Sequence, residues 1–138
     1  MIIRKAKIKD IDGIDNIYNQ AISEKFCVAD LTPWTKEKRF EWFNEHNNEY
    51  PIFVMEIDNV VAGYIYISPY RPGRMALKHT AEVSYYVDKN YRKKGIGKQL
   101  NEHMETECKK MGIKTIFAIV IDNNIASINL LKKRGYER

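Results

Sequence analysis

Two glycines, Gly95 and Gly97, stand in a basic stretch that joins an alternating run of residues to a long apolar stripe, and this junction limits the folds open to the chain. From Thr80 to Val87 the residues alternate, with Glu82, Ser84 and Tyr86 on one face and Val83, Tyr85 and Val87 on the other, as in a strand. Asp88, Lys89 and Asn90 end it. From Ile96 onward Leu100, Met104, Cys108 and Met111 step around one helical face, and Gly112 is placed to stop that helix. Lys114 to Ile121 then reads as a buried strand. Strand, glycine loop, helix and strand make a βαβ unit, whose two strands should be parallel neighbours joined by a right-handed crossover.

The rest of the chain must extend that unit. Ile2 to Ile8 reads as a first strand, followed by a helix with Ile11, Ile14, Tyr18, Ala21 and Ile22 near helical spacing behind Asp10 as N-cap. Thr35 can cap a short helix that carries Phe40 and Phe43 inward, with Trp42 and His46 on another side. Ile52 to Ile57 and Val60 to Ile67 are β-branched and aromatic runs separated by Asp58-Asn59, a two-residue turn signal for an antiparallel hairpin. Pro69, Pro72 and Gly73 stop the sheet, and Tyr70 to Lys78 reads as a loop. Ile125 to Arg134 is a last short helix, with Asn124 as possible cap and Gly135 as stop. The expected fold class is α/β: a mixed, partly antiparallel sheet with helices on both faces, and ligand near the carboxyl ends of the two parallel strands.

A length of 138 residues fits one domain, 1–138, around a single core. No apolar run is long enough to span a bilayer, and the residues after Met1 lack a signal peptide's apolar stretch. The expectation is a cytoplasmic chain without a membrane partner. Cys27 and Cys108 have no second Cys or His at ligand spacing, so no metal is assigned. The net charge of +5 comes from basic residues scattered among 18 acidic ones, with one dense cluster from Arg92 to Lys98. Nucleic-acid binding through that cluster ranks last, because no recognition helix or aromatic platform accompanies it.

The glycine loop asks for an anion of some kind. Gly95 and Gly97 let the backbone bend closely and aim N–H groups at a phosphate from the positive end of the helix. Arg92, Lys93, Lys94 and Lys98 add charge at that end, where a merely solvated helix would favour acidic residues. The P-loop pattern fails, since Arg92 stands where its first glycine belongs and Gln99 where it needs Ser or Thr. The dinucleotide fingerprint fails at Leu100, where its third glycine belongs.

Arg92-Lys93-Lys94-Gly95-Ile96-Gly97 resembles the acetyl-CoA pyrophosphate loop of the GNAT superfamily of N-acetyltransferases. Thr80-Ala81-Glu82, Tyr86-Val87, Tyr91-Arg92, Asn124-x-x-Ser127 and Gly135-Tyr136 are similar to its phosphinothricin and methionine sulfoximine acetyltransferase branch. The upstream Thr35-x-Glu37-x-Arg39-x-x-Trp42-Phe43-x-x-His46, Pro51 and Gly63-Tyr64 also fit. The resemblance covers nearly the whole chain and implies transfer of an acetyl group from acetyl-CoA to a primary amine, the α-amine of a small amino acid or analogue. Alternatives are protein N-terminal or lysine acetylation, and a non-catalytic acyl-CoA-binding module.

By that resemblance Glu82 is the general base, and a carboxylate on a central strand favours function over the other reading, a structural ion pair. The resemblance also assigns Tyr85, Tyr86 and Val87, Arg92 to Lys98 (Arg92, Lys93, Lys94, Gly95, Ile96, Gly97, Lys98), Asn124 and Ser127 to acetyl-CoA. The tyrosine rings also suit a core, and Asn124 and Ser127 also suit caps. Tyr136 could donate to the leaving thiolate. Arg74 matches an arginine-rich substrate segment and has the geometry for a carboxylate, although a surface arginine is the ordinary reading. The chain departs from the branch at Leu131, where a histidine is usual, and at Leu77, where a tyrosine is usual. Relatives continue past Gly135-Tyr136 through one more β-hairpin, so the C-terminal hairpin is expected to be missing: either the sheet is incomplete, or the chain is truncated, or a neighbouring subunit supplies the edge, and because an uncovered edge invites pairing a homodimer is expected.

Overall fold

The structure is a computed structural model that describes residues 1–24, 32–46, 49–69, 80–113, 115–118, 129, 130, 132, 133 and 135. Five strands form one sheet in sequential order: β1 (Ile2–Lys5), β2 (Ile52–Ile57), β3 (Val60–Pro69), β4 (Thr80–Val87) and β5 (Thr115–Ala118). The first four are antiparallel to their neighbours and β5 is parallel to β4, as the βαβ reading requires. Helices α1 (Ile11–Glu24) and α2 (Lys36–Glu45) cover one face and α3 (Ile96–Lys110) the other.

The β2–β3 hairpin turns at Asp58 and Asn59, with φ of 51° and 65°, the left-handed pair a two-residue hairpin turn demands. Pairing then shifts by one residue between Met55 and Glu56, so that Met55 faces Gly63 while Glu56 faces Val61. Ala62 is the extra residue, and its carbonyl accepts from Asp88 N at 2.9 Å where β4 ends.

Each face has its own core. Phe53, Met55, Ile65, Ile67, Val83, Ile96, Leu100, Met104 and Cys108 are buried between the sheet and α3. Ile14, Ile17, Trp42, Ile52, Val54 and Tyr64 are buried beneath α1 and α2. The stop of α3 follows the expected chemistry: Gly112 has φ 77°, its N–H donates to Lys109 O and Ile113 N donates to Cys108 O at 3.0 Å.

Three expectations change. β1 ends at Lys5, because the Asp10 carboxylate takes Lys7 N at 2.7 Å and turns the chain into a 3-10 turn over Ile8–Asp10. Asp10 is therefore not a simple N-cap: it is buried, and both its oxygens accept from Arg4 at 2.8 and 2.9 Å. Burial alone would raise its pKa, but the Arg4 guanidinium and the Lys7 N–H together hold the carboxyl below its usual range.

The third correction concerns α2. Thr35 caps it as expected, accepting from Lys38 N at 3.1 Å, but the helix turns Arg39 and Trp42 inward and leaves Phe40 41% exposed. Arg39 is 1% exposed, and its guanidinium carbon lies 4.9, 4.1 and 4.7 Å from the ring centres of Tyr18, Trp34 and Trp42. Its Nε donates to Asp15 Oδ1 at 2.6 Å. A planar guanidinium stacked on aromatic faces satisfies the core as an apolar side chain would while keeping its charge on Asp15.

Candidate active site

The exit of β4 is shaped residue by residue. Asp88 is buried and its Oδ1 accepts from Asn90 N at 2.8 Å, while Tyr91 N donates to Asp88 O at 2.9 Å, making a tight 3-10 turn over Lys89–Tyr91. The chain then passes through Lys93 at φ 64° and Gly95 at φ 79°, two left-handed residues that bend it onto the axis of α3. Gly95 is the N-cap of α3 and supplies no side-chain bond to it; its carbonyl accepts from Gln99 N at 3.0 Å. The amides of the first turn therefore point outward from the positive end of a 15-residue helix, with no acidic residue among them.

This loop fits a diphosphate. A Cβ built at Gly95 would meet nothing closer than 4.0 Å, so the backbone there is open to a ligand. Gly97 is needed for packing, since a Cβ there would come within 3.1 Å of Leu130 Cδ2 and 3.3 Å of Tyr85 Cε2. Lys93, Lys94 and Lys98 are exposed around the opening, with the Lys94 ammonium 5.4 Å from the Tyr91 ring centre. The Ile96 side chain is buried in the α3 core, so only its N–H can serve a ligand.

Arg92 is differently engaged. Its Nη1 donates to Glu24 Oε2 at 2.7 Å and its Nη2 to Glu24 Oε1, which ties the loop to the last residue of α1. Two tyrosines expected at the cofactor cleft also have packing roles. Tyr85 and Val87 pack on the α3 core, whereas Tyr86 faces α1 with its ring edge-on to Tyr18, 5.7 Å between centres. Their backbone atoms lie along β4, whose described pairing with β5 covers Thr80 to Val83.

Glu82 is half-buried on β4, in register with Ser68 of β3 and Phe117 of β5. Directly opposed residues share a face, so Glu82 lies with Ser84, Tyr86, Tyr64, Tyr66 and Ser68 on the α1/α2 side. Among the described residues no hydrogen bond or ion pair engages its carboxylate. His46 stands above the same face, with its ring 5.3 Å from that of Tyr66 and its Nδ1 2.8 Å from Tyr50 O. Burial lowers the pKa of that imidazole.

Arg74, Leu77, Asn124, Ser127, Leu131 and Tyr136 lie outside the described residues. Sequence reasoning passed over Glu24 and gave Arg39 no role beyond its place in the upstream motif. The second carried a signal, because Arg39 and Trp42 are three apart and share a helix face. No helix of the described residues is long and apolar enough to cross a membrane.

The chain matches the acetyltransferase (GNAT) family over residues 14–136. It is 32% identical to an L-methionine sulfoximine/L-methionine sulfone acetyltransferase of Pseudomonas aeruginosa, an alignment covering 98% of this chain and 79% of that one. Its fold superposes on an N-acetyltransferase from Staphylococcus aureus with a TM-score of 0.93 at 37% identity, covering 99% of this chain and 82% of the other. It superposes on a phosphinothricin acetyltransferase from Sinorhizobium meliloti, solved in complex with acetyl-CoA, with a TM-score of 0.88 at 28% identity, covering 99% and 74%. With the uncapped amides, the open glycine turn and the lysines around it, these likenesses lead to one conclusion: the chain belongs to the acetyltransferase (GNAT) family and is an acetyl-CoA-dependent acetyltransferase.

Proposed function

We propose that this enzyme acetylates the α-amine of a small amino acid or amino-acid analogue, with Glu82 as the base that takes the ammonium proton. The observation that carries this reading is the half-buried carboxylate of Glu82, engaged by no described residue, on the strand that leads into the phosphate loop. The acceptors named for the Pseudomonas aeruginosa and Sinorhizobium meliloti proteins, amino-acid analogues with a primary amine, support the choice.

Acetyl-CoA supplies the acetyl group already activated as a thioester. The N–H groups of Ile96, Gly97 and Lys98 and the ammonium groups of Lys93, Lys94 and Lys98 hold its phosphates. The backbone of Tyr85, Tyr86 and Val87 would align its arm along β4, on which Glu82 lies about 16 Å back from Val87. An α-amine is largely protonated at neutral pH and cannot attack until that proton leaves. Glu82 would accept it, directly or through one water; the freed lone pair would attack the thioester carbonyl carbon, the C–S bond would break, and CoA would leave as the thiolate, with Tyr136 as the candidate donor of its proton. The same reading gives Asn124 and Ser127 a role in holding the cofactor and Arg74 a role in binding the acceptor's carboxylate. The working form is a cytoplasmic homodimer, which light scattering tests: a monomer at assay concentration removes it.

The decisive experiment is thiol release by Glu82→Gln with a panel of amino acids. Turnover should fall at least about 100-fold with acetyl-CoA affinity kept within about twofold. Unchanged turnover would reject Glu82 as the base.

A further inference from the structure

The end of α1 presents two polar side chains to the segment that leaves β4. Gln20 Oε1 accepts from Lys89 N at 2.8 Å, and one helical turn later Glu24 takes the Arg92 guanidinium with both oxygens, Nη1 at 2.7 Å from Oε2 and Nη2 on Oε1. Residues four apart lie on one face of a helix, so the two ties act side by side. The segment they hold enters a loop that carries a left-handed lysine, Lys93 at φ 64°, immediately after Arg92. Such backbone persists where its surroundings impose it. At the helix end the loop is imposed by Ile96 in the core and by Gly97 against Tyr85. At the strand end Arg92 is exposed, and the carboxylate of Glu24 holds it.

We infer that Glu24 is a positioning residue for acetyl-CoA: its carboxylate clamps Arg92, so the loop keeps the backbone shape that receives the phosphates. Arg92 then serves as a clamp and is not itself a phosphate contact. The inference rests on the reading of the loop given above. A carboxylate filling the guanidinium fork satisfies the donors a phosphate would need and cancels the charge beside the loop. Lys93, Lys94 and Lys98 are left to face the polyanion. A loop already in its bound shape spares the ligand the cost of ordering it. An exposed ion pair adds little to global stability, so the substitution reads out on the loop and not on the fold.

The test uses the full chain as Glu24→Gln, Arg92→Gln and the double variant, with acetyl-CoA binding measured by calorimetry. Each single change should weaken binding about 3- to 10-fold, and the double change should be no weaker than the worse single, the mark of two groups acting as one. The KM for acetyl-CoA should rise alone, with kcat and acceptor KM unchanged, and the ligand-free Tm should move by no more than about 2 °C. Glu24→Gln binding as tightly as the parent, or tighter, would overturn the inference by making Arg92 a phosphate contact that Glu24 merely restrains. Losses that multiply in the double variant would overturn it too. Amide exchange over residues 93–97 decides independently of any ligand: Glu24→Gln should speed it at least threefold, and unchanged exchange removes the clamp. A parent protein that binds no acetyl-CoA would reject the functional reading, and the exchange rates would still decide the clamp.

Discussion

Replacing Arg39 by methionine exposes how α1 and α2 are held together. The substitution keeps a long flexible side chain among Tyr18, Trp34 and Trp42 but removes the charge stacked on all three rings and the Nε bond to Asp15. A desolvated cation on an aromatic face contributes about 1–2 kcal/mol, and three faces sharing one cation give less than three times that. Asp15, whose side chain is 19% exposed, keeps some water when its partner goes, which places the loss near the bottom of the 3–5 kcal/mol typical of a broken buried pair. Arg39 Nη2 has no partner among the described residues, so its removal returns part of that cost. The net expectation is about 3 kcal/mol, or about 10 °C in Tm for a chain of this length. Urea unfolding of Arg39→Met, Asp15→Asn and the pair measures it, with the double variant expected to be about 1 kcal/mol less damaging than the sum. Arg39→Met within about 0.5 kcal/mol of the parent would show that the aromatic rings hold this face without the cation, and the reasoning would fail.

Three further outcomes follow from packing and charge. Gly63→Ala should destabilise by about 1–3 kcal/mol and raise the KM for acetyl-CoA, because the new Cβ would sit 3.1 Å from Ile96 Cγ2, 3.1 Å from Tyr86 O and 3.2 Å from Leu100 Cδ1 under the start of α3; a neutral variant would show that α3 can lift without harm. Burial pushes the Cys108 thiol up to about 11, so in a Cys27→Ser background a thiol reagent at pH 8 should label it only through opening of the fold, far more slowly than it labels the urea-unfolded chain; labelling of the native protein at the unfolded chain's rate counts against this. Asp10 and Glu24 both have carboxyls held below their usual range, by Arg4 with Lys7 N–H against burial, and by Arg92. Their contribution is full above about pH 4.5 and lost as pH falls through the lower folded values, so the Tm gap between Asp10→Asn and the parent should be constant above pH 5 and close below it. A gap that persists at pH 2 would mean that Asp10 acts by shape alone.

The elements that were legible in the sequence share one property: their signals are local. The alternation from Thr80 to Val87, the stripe from Ile96 to Met111, the Asp58-Asn59 turn and the Gly112 stop each need only neighbours along the chain, and each stands where expected. The inward face of α2 was misread because Phe40, Trp42 and Phe43 fit more than one side of a 10-residue helix, and only tertiary contact with Tyr18 and Trp34 makes Arg39 a core residue. The end of β1 was overrun because Asp10 reads as a cap until Arg4 is placed beside it. At the site, the glycine loop was legible from its charge and position. The partner of Arg92 was not, since Glu24 lies 68 positions earlier and no pattern along the chain links the two.

The extra residue at Ala62 gives the β2–β3 hairpin a second significance for anyone altering its length. It turns Ala62 and Gly63 toward α3 together and offers a spare carbonyl to Asp88 N, so the point where β4 turns toward the phosphate loop is anchored by a neighbouring strand. A deletion of Ala62 would leave a regular β2–β3 ladder, but Val61 would then have to supply the carbonyl that holds the amide of a buried aspartate. Additions at Asp58-Asn59, beyond the shift, leave that anchor alone. The tip of this hairpin is thus a suitable place to graft a label or affinity tag, whereas four residues further along a change of one residue would reach the cofactor.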